Sequence, residues 1–186
     1  MQDINEKMRY DNSLWKVTMG ELLDAVAEKY PDQPCVLYTD RPYRKTYAEF
    51  RDMCNEVAKG LMALGVKKGD HVAIWATNVP EWLMIMWGTA RIGAVMVTVN
   101  TAYKFFELEY LLKQSDSTTL ILIDEYKGSD YLKIMHEVYP EIDQAKPGDA
   151  QIENLPYLKN IIHVGPERQK GMFQWEDLYE MAKSVS

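Results

Sequence analysis

The chain has 186 residues, of which 47% are hydrophobic and 26% are charged, and its formal net charge is −7. These proportions exclude wholesale disorder and allow one well-packed domain. The negative charge argues against nucleic acid or an anionic membrane as the main partner, and two cysteines without a CxxC spacing exclude a disulfide framework.

The opening residues and one long apolar run bear on the location of the protein. The opening stretch MQDINEKMRYDN is charged and lacks an apolar core, so it does not resemble a signal peptide. The run at residues 82–99 is about as long as a membrane span, but Arg91 lies at its centre. A strand–helix–strand unit explains this run better. We therefore expect a cytoplasmic protein without a membrane span.

Two capping boxes mark the first two predicted helices. Thr18 is followed three positions later by Glu21, and Thr46 is followed in the same way by Glu49. In both segments the apolar residues that follow keep helical spacing, and the second is the clearest helix in the chain. Gly65 follows this second helix in the position of a carboxyl-terminal cap.

A β-hairpin is predicted between these helices. Residues 36–39 and 44–46 flank the turn sequence Asp-Arg-Pro at 40–42. The hairpin would precede every other strand of the chain.

Residues 69–100 form the segment around which the rest is organised. Residues 71–76 predict a strand, and Asn78 and Pro80 predict a helix start, with Asn78 as the cap. The helix is apolar all round, which is typical of a buried helix. The apolar run at 94–99 predicts a strand covered on both faces, as in a parallel sheet.

The remaining chain continues this alternation of helices and strands. Helices are predicted at residues 105–112, 131–139 and 174–183, strands at 119–123 and 161–164, and a loop at 141–156. Right-handed crossovers would stack these strands as a mostly parallel sheet with helices on both faces. The predicted class is therefore α/β, with an amino-terminal β-hairpin.

Catalytic signatures are nearly missing from the sequence. No GxGxxG and no GxSxG occur, and the Gly60–Gly65 spacing of a phosphate loop continues with Val66 and Lys67 instead of Lys and Ser or Thr. We interpret Gly65 as a structural helix cap. The three histidines lack ligand spacing, so no metal site is predicted, and we interpret His163 as a packed or edge residue.

The order of these segments resembles the amino-terminal part of the adenylate-forming ligases, in the acyl-CoA synthetase branch. The matching stretches cover nearly the whole chain and are TMGELLDAVAEKYPDQPCVLY (18–38), KTYAEF (45–50), AKGLMALGVKKGDHVAIWATNVPEW (58–82), ARIGAVMVTVN (90–100), ELEYLLKQSDSTTLIL (107–122) and NLPYLKNIIHVG (154–165). No single stretch is diagnostic, but all occur in the family's order.

The resemblance implies an enzyme that activates a carboxylic acid with ATP and transfers the acyl group to coenzyme A. It implies ATP, Mg²⁺ and coenzyme A for the parent enzyme, and the substrate class suggested is fatty acids. The family's ATP-binding loop, adenine-binding segments, magnesium-holding carboxylate and mobile carboxy-terminal domain would come after Ser186. We therefore expect residues 1–186 to be a single scaffold domain that is inactive alone and binds no cofactor.

The same resemblance nominates a small set of ligand-contacting residues. In the family, the turn after the strand at 95–99 lies near the pantetheine path of coenzyme A, which nominates Thr101, Ala102 and Tyr103 as a channel wall, with Asn100 as a turn residue. Thr101 and Phe105 stand where relatives often carry proline. The alternative is that Asn100 caps the next element and Tyr103 only packs.

Other interpretations stay open at this point. Asn78 and Glu81 suggest catalysis, although helix capping explains both. The chain is alternatively a stand-alone, flavodoxin-like binding module, or one subunit of a split ligase. A truncated sheet would expose aromatic or methionine side chains, so self-association is also predicted.

Overall fold

A computed structural model describes residues 16–185 of the chain. The charged opening stretch MQDINEKMRYDN, on which the signal-peptide prediction rests, lies outside the described residues. The described chain divides into two compact units, one ending at Cys54 and one beginning at Asn55.

The first unit contains a helix and the predicted hairpin. Its elements are α1 (Met19–Lys29), β1 (Pro34–Leu37), β2 (Arg44–Thr46) and the first residues of α2 (Tyr47–Ala63). The strands β1 and β2 pair antiparallel, which confirms the hairpin. Leu23, Val36 and Phe50 are buried, so α1, β1 and the start of α2 each contribute an apolar side chain to the interior of this unit.

Both predicted capping boxes are present. The backbone N–H of Glu21 donates to Thr18 Oγ1 at 3.2 Å, and the N–H of Thr18 donates to Glu21 Oε2 at 2.7 Å. Thr46 and Glu49 exchange the same two bonds at 3.3 and 2.9 Å. Each pair satisfies two backbone donors that a helix start leaves without partners, so α1 and α2 begin where the sequence predicts.

The second unit is built on a five-stranded sheet. Its elements after α2 are β3 (His71–Trp75), α3 (Pro80–Ile92), β4 (Val95–Thr98), α4 (Phe105–Gln114), β5 (Ser117–Ile123), β6 (Glu125–Tyr126), β7 (Ser129–Asp130), α5 (Tyr131–Val138), a 3-10 turn (Ile142–Gln144), β8 (Asn160–Val164), β9 (Phe173–Gln174) and α6 (Asp177–Ala182). The strand order is β4-β3-β5-β8-β9, and every neighbouring pair is parallel.

The helices of this unit form two groups. In the first group, a Cβ on Gly60 of α2 would stand 2.5 Å from the carbonyl oxygen of Leu178 in α6, and the hydroxyl of Tyr179 in α6 lies 3.7 Å from the sulfur of Met84 in α3. In the second group, α4 packs against α5. Helix α3 connects β3 to β4 on one side of it in the sheet, whereas α4 and α5 lead in the opposite direction, from β4 to β5 and from β5 to β8. Because all these crossovers are right-handed, the two groups of helices lie on opposite faces of the sheet. The α/β class with helices on both faces is confirmed.

Strand β4 differs from its prediction. It was expected to be covered on both faces, but it is an edge strand whose side chain at Val95 is 45% exposed. The reason is topological. The crossover through α3 places β4 beside β3, and the crossover through α4 then places β5 on the other side of β3. No later described strand therefore pairs with β4. An apolar run alone does not distinguish an edge strand from a central one.

Two helices also differ from their predictions. Helix α3 is not buried all round, because Trp82 and Trp87 are half-buried while Met84 and Ile85 are buried. The last helix begins at Asp177 rather than Gln174, since Gln174 belongs to β9, which pairs with β8. A two-residue strand is too short to show a period, and the short hairpin β6–β7 was likewise not predicted.

Candidate functional site

The order of the strands indicates where this sheet would bind a ligand. Numbered along the chain, the order is 2-1-3-4-5, and its direction reverses between β3 and β5. In open α/β sheets, ligands bind outside the carboxyl ends of the strands at such a switch point. The nominated residues Thr101, Ala102 and Tyr103 begin three positions after the end of β4 at Thr98, so they lie at this edge.

Two stacked aromatic side chains occupy the switch point. Trp75 is the last residue of β3, and the backbone N–H of Tyr131 donates to the carbonyl of Asp124, just past β5, at 2.9 Å. The two rings are fully buried and stack with centroids 3.7 Å apart and planes 11° apart. The two side chains therefore occupy the position at which an open α/β sheet of this strand order binds a ligand.

The polar tips of the stacked pair hold the turn that follows β4. The indole N–H of Trp75 donates to the carbonyl of Asn100 at 3.2 Å, and the hydroxyl of Tyr131 donates to the carbonyl of Thr101 at 2.8 Å. Burial raises the pKa of Tyr131, which favours the protonated hydroxyl that donates this bond. Two neighbouring carbonyls of the turn thus receive donors from side chains distant in sequence.

The turn also closes on itself. Asn100 Oδ1 accepts the backbone N–H of Ala102 at 2.9 Å, and the Asn100 carbonyl accepts the N–H of Tyr103 at 3.0 Å. Asn100 is therefore a turn residue, as predicted. Ala102 is exposed, while Thr101 and Tyr103 are half-buried, so the three nominated residues present a partly open surface. Their contact with coenzyme A stays a prediction.

The far end of the turn is tied to the short hairpin. Lys104 Nζ donates to Ser129 Oγ in β7 at 2.7 Å, and Ser129 is buried. The backbone N–H of Lys104 donates to Glu107 Oε2 at 3.1 Å, at the start of α4. The sequence offered no sign of the tie to Ser129, because the two residues lie 25 positions apart in the chain.

A second polar cluster lies at the same edge, between β5 and β8. His163 is fully buried, and its Nε2 lies 2.7 Å from Asp124 Oδ1, while its Nδ1 lies 3.4 Å from Gln174 Oε1. The Gln174 amide donates to the carbonyl of Gly165, which orients its oxygen toward the ring. This cluster therefore holds the strand ends, and the packed interpretation of His163 is confirmed.

This cluster was not predicted from the sequence, although two of its residues each follow a predicted strand. Asp124 follows β5 and Gly165 follows β8, and the preceding residues Ile123 and Val164 are partners in the parallel ladder. Residues that follow paired parallel strands meet at one edge of the sheet. That juxtaposition needs the strand order, which periodicity alone does not supply.

The interpretation of Asn78 as a helix cap is wrong. The residue at the cap position is Val79, which has extended backbone angles and makes no side-chain capping bond. The N–H of Val79 donates to the carbonyl of Thr77 at 2.8 Å, and this tight turn delays the helix start by one residue. Pro80 occupies the first turn of α3, as predicted, with Glu81 beside it.

The glycine pair with phosphate-loop spacing is structural, as predicted. Gly65 has a φ of 89°, and its N–H and that of Val66 donate to the carbonyls of Met62 and Leu61. This is the hydrogen-bond pattern of a glycine cap after a helix. Gly60 lies inside α2, where its missing side chain permits the close approach of Leu178.

A groove of about 520 Å³ at the opposite edge is a weaker candidate. Its lining residues are Met62, Gly65, Val66, Lys67, Lys68, Arg91 and Ile92. Helices α2 and α3 both end here, and cations beside the carboxyl ends of helices are stabilised by the helix dipoles. The three basic side chains are explained in this way without a ligand.

Residues 16–185 contain neither a metal-binding cluster nor a helix suited to a membrane. Within this range, no group of three His, Cys, Asp or Glu side chains is arranged to hold a metal ion. Among the same residues, no helix combines the length and the apolar character that a membrane crossing requires.

Comparison with known proteins gives consistent matches. The profile of the family described as AMP-binding enzyme matches residues 23–184. The chain is 50% identical over 169 residues to a protein of Bacillus subtilis (strain 168) whose name is "Putative acyl-CoA synthetase YngI"; the match covers 91% of this chain and 31% of YngI. It is 32% identical to the mitochondrial medium-chain acyl-CoA ligase ACSF2 of Danio rerio, covering 90% of this chain and 27% of that protein.

The fold matches solved structures in the same way. The crystal structure of the anthranilate CoA ligase AuaEII in complex with anthranoyl-AMP superposes with a TM-score of 0.74 at 22% identity, over 93% of this chain and 30% of that one. At this identity the match concerns the fold. The chain spans about a third or less of the length of the curated relatives described above.

Proposed function

This chain belongs to the AMP-binding enzyme family, and on that premise we propose that it is the amino-terminal scaffold of an ATP-dependent acyl-CoA ligase. The observation that carries the proposal is the 50% identity to a protein named as an acyl-CoA synthetase, across 91% of this chain. In the proposed reaction, a carboxylate attacks the α-phosphate of ATP, giving acyl-adenylate and pyrophosphate. The thiol of coenzyme A then attacks the acyl carbon and releases AMP.

In this proposal, the chain contributes to the second step. Thr101, Ala102 and Tyr103 would line the path of the pantetheine arm. The position of the turn at the carboxyl edge of the sheet, partly open to solvent, supports this assignment. Mg²⁺ would accompany the phosphates of ATP, but residues 16–185 offer no group of three suitable ligands, so no step is assigned to a metal held by this chain.

The proposed substrates are fatty acids. The support is that the Danio rerio relative is named as a medium-chain acyl-CoA ligase. A panel of short, medium and long straight-chain acids, assayed by coenzyme A-dependent AMP formation, tests this choice. Turnover confined to aromatic or dicarboxylic acids would overturn the fatty-acid assignment while leaving the ligase assignment intact.

The decisive experiment compares this chain with the complete product of its gene. We expect acid-dependent pyrophosphate release from ATP by the complete product and none by residues 1–186. The sequence of the gene beyond codon 186 should continue into a loop rich in Thr, Ser and Gly. Turnover by residues 1–186 alone would overturn the scaffold proposal.

Two alternatives have their own tests. A stop codon after residue 186, with activity restored by mixing in a second subunit, would indicate a split ligase. The flavodoxin-like strand order favours a stand-alone binding module, whereas the stacked pair at the switch point argues against it. A rise in melting temperature with FMN, but not with coenzyme A, would support the module.

The proposed partners are the carboxylic acid, ATP and coenzyme A, without nucleic acid. Self-association is proposed as well, because Phe106, Tyr110 and Tyr157 are 78%, 67% and 55% exposed. A cytoplasmic location completes the proposal. Because the Danio rerio relative is named as mitochondrial, fractionation of cells that express the tagged protein is the appropriate test.

A further inference from the structure

We infer that Trp75 and Tyr131 are positioning residues that clamp the turn at residues 100–103 and thereby set the affinity for coenzyme A. This inference rests on the proposed function, because it concerns the thiol substrate of the ligase. Neither side chain was singled out by the sequence, and neither was expected to touch a ligand.

The two side chains donate to neighbouring carbonyls of the turn. Tyr131 and Trp75 donate to consecutive carbonyls, those of Thr101 and Asn100, at 2.8 and 3.2 Å. Two such bonds from one rigid unit fix both the position and the tilt of the peptide between them. A single bond would fix the position of this peptide but not its tilt.

The Trp75–Tyr131 pair that donates these bonds is rigidly held. The two rings are fully buried and stack at 3.7 Å, with one ring at the end of β3 and the other at the start of α5. Strand β3 pairs on both sides, with β4 and β5. The clamp is therefore anchored in the centre of the sheet, and a buried tyrosine or tryptophan normally directs its polar atom to a partner.

The clamp holds the backbone of the turn and leaves the side chains of residues 101–103 available to a ligand. The clamp uses backbone carbonyls, and the amides of Ala102 and Tyr103 are bonded within the turn. The side chains of residues 101–103 are not used by the clamp. A turn held from behind by its backbone presents these side chains in one arrangement, which lowers the ordering cost of binding.

Tyr131→Phe removes the hydroxyl but keeps the stacked ring. In the complete gene product, we expect the KM for coenzyme A to rise about fivefold, the effect of losing one hydrogen bond. The KM values for ATP and acid, and the rate of acyl-adenylate formation without coenzyme A, should change less than twofold. Trp75→Phe, which removes the other donor and keeps an aromatic ring, should act in the same direction.

Tyr139→Phe is the matched control. Tyr139 is also buried, follows α5 at its other end, and its hydroxyl accepts one hydrogen bond, from the N–H of Gln151 at 3.3 Å. Tyr139→Phe removes one hydrogen bond of a buried tyrosine, and neither partner in that bond belongs to the turn. We expect this variant to leave all three KM values unchanged.

A second readout does not depend on activity. Hydrogen exchange of the peptide that contains the amides of Ala102 and Tyr103 should be about fivefold faster in Tyr131→Phe than in Tyr139→Phe. Unchanged exchange in Tyr131→Phe would overturn the clamp. Faster exchange with an unchanged KM for coenzyme A, or an equal rise in all three KM values, would overturn its role in positioning.

The outcome for the wild type separates this inference from the proposed function. If the complete gene product forms no thioester, the proposed function fails and the positioning role fails with it, whereas faster exchange would still establish the clamp as structural. If the product is active and the variants behave like the control, only the positioning inference fails.

Discussion

Two glycines have similar left-handed backbone angles, but one lies in open space and the other in a crowded position. Gly128 has a φ of 76° and Gly171 a φ of 71°, a region that costs other residues about 1–2 kcal/mol. A Cβ added at Gly128 would meet nothing within 4 Å, whereas one at Gly171 would overlap the carbonyl oxygen of Ile142. The pair therefore separates the cost of the backbone conformation from the cost of a collision.

We predict that Gly171→Ala lowers the free energy of unfolding by about 3 kcal/mol or more, because the backbone of Ile142 must shift. Gly128→Ala should cost only about 1–2 kcal/mol, from its backbone angles. Urea unfolding of both variants measures the difference. If both variants lost the same free energy of unfolding, the close approach of Gly171 to Ile142 would not contribute to stability.

Asp177 is the residue whose charge should matter most for stability. Its two oxygens accept the guanidinium of Arg168 at 2.6 and 2.7 Å, and Oδ2 also accepts the N–H of Gln174 at 2.9 Å. The Arg168 guanidinium, followed by the Gln174 N–H, lowers the pKa of Asp177 despite partial burial. The folded state therefore binds this proton less readily than the unfolded state.

The sign of the pH effect follows from this lowered pKa. The stabilisation is fully present above the unfolded pKa of about 3.9 and is lost as the pH falls through the lower folded value. We predict that Asp177→Asn costs about 1 kcal/mol at pH 7, a modest value because Arg168 is exposed. The difference from wild type should narrow below about pH 4.

Urea unfolding at several pH values tests this expectation. The control is Asp149→Asn, an exposed residue that accepts one bond from Gln151 at 3.0 Å. It should change the free energy of unfolding by less than about 0.5 kcal/mol. A loss for Asp177→Asn that stays constant down to acidic pH would contradict an electrostatic origin.

At the scale of single elements, helix starts in this chain use two different devices. Helices α1 and α2 begin at capping boxes, whereas α3 begins at a tight turn and a proline, without a side-chain cap. Both devices deal with the backbone N–H groups that a helix start leaves without partners. Only the first depends on the side chain of the capping residue.

We therefore predict that Thr46→Ala lowers the free energy of unfolding by about 1 kcal/mol, the typical cost of a lost cap. Asn78→Ala should change it by less than about 0.5 kcal/mol, since Asn78 is exposed and caps nothing. Thermal unfolding followed by circular dichroism compares the two variants. If Asn78→Ala lowered the free energy of unfolding as much as Thr46→Ala, Asn78 would act as a helix cap, contrary to the structure.

At the scale of the whole molecule, exposed aromatic side chains are concentrated on one helix and one loop. Phe106 and Tyr110 are one helical turn apart on α4, and Asn154, close to the exposed Tyr157, donates to Glu109 of α4 at 3.1 Å. The side of β4 that pairs with no strand among residues 16–185, where Val95 is exposed, is a second apolar surface. Such surfaces favour association between molecules.

We predict that residues 1–186 self-associate, and that the double variant Phe106→Glu, Tyr110→Lys shifts the equilibrium toward monomer without changing net charge. Light scattering over a wide concentration range provides the measurement. The control exchanges two exposed residues on α5, Lys133→Glu with Glu137→Lys, and should leave association unchanged. A strictly monomeric wild type at all concentrations would contradict the prediction.

The sequence alone determined the local structure of this protein. The capping boxes at Thr18 and Thr46, the glycine cap at Gly65 and the alternation of strands and helices were predictable, because their hydrogen bonds join residues a few positions apart. The resemblance to the adenylate-forming ligases was likewise carried by short stretches in order, and the profile of the AMP-binding enzyme family matches residues 23–184.

Only the tertiary structure decided how the carboxyl edge of the sheet is built. The Trp75–Tyr131 stack, the contact of Asp124 with His163 and the exposed position of β4 depend on strand order, which brings together residues tens of positions apart. The periodicity of a strand records that one of its faces is apolar but not which strands lie beside it. The turn at residues 100–103 was therefore nominated from the sequence, while the side chains that hold it were found only in the fold.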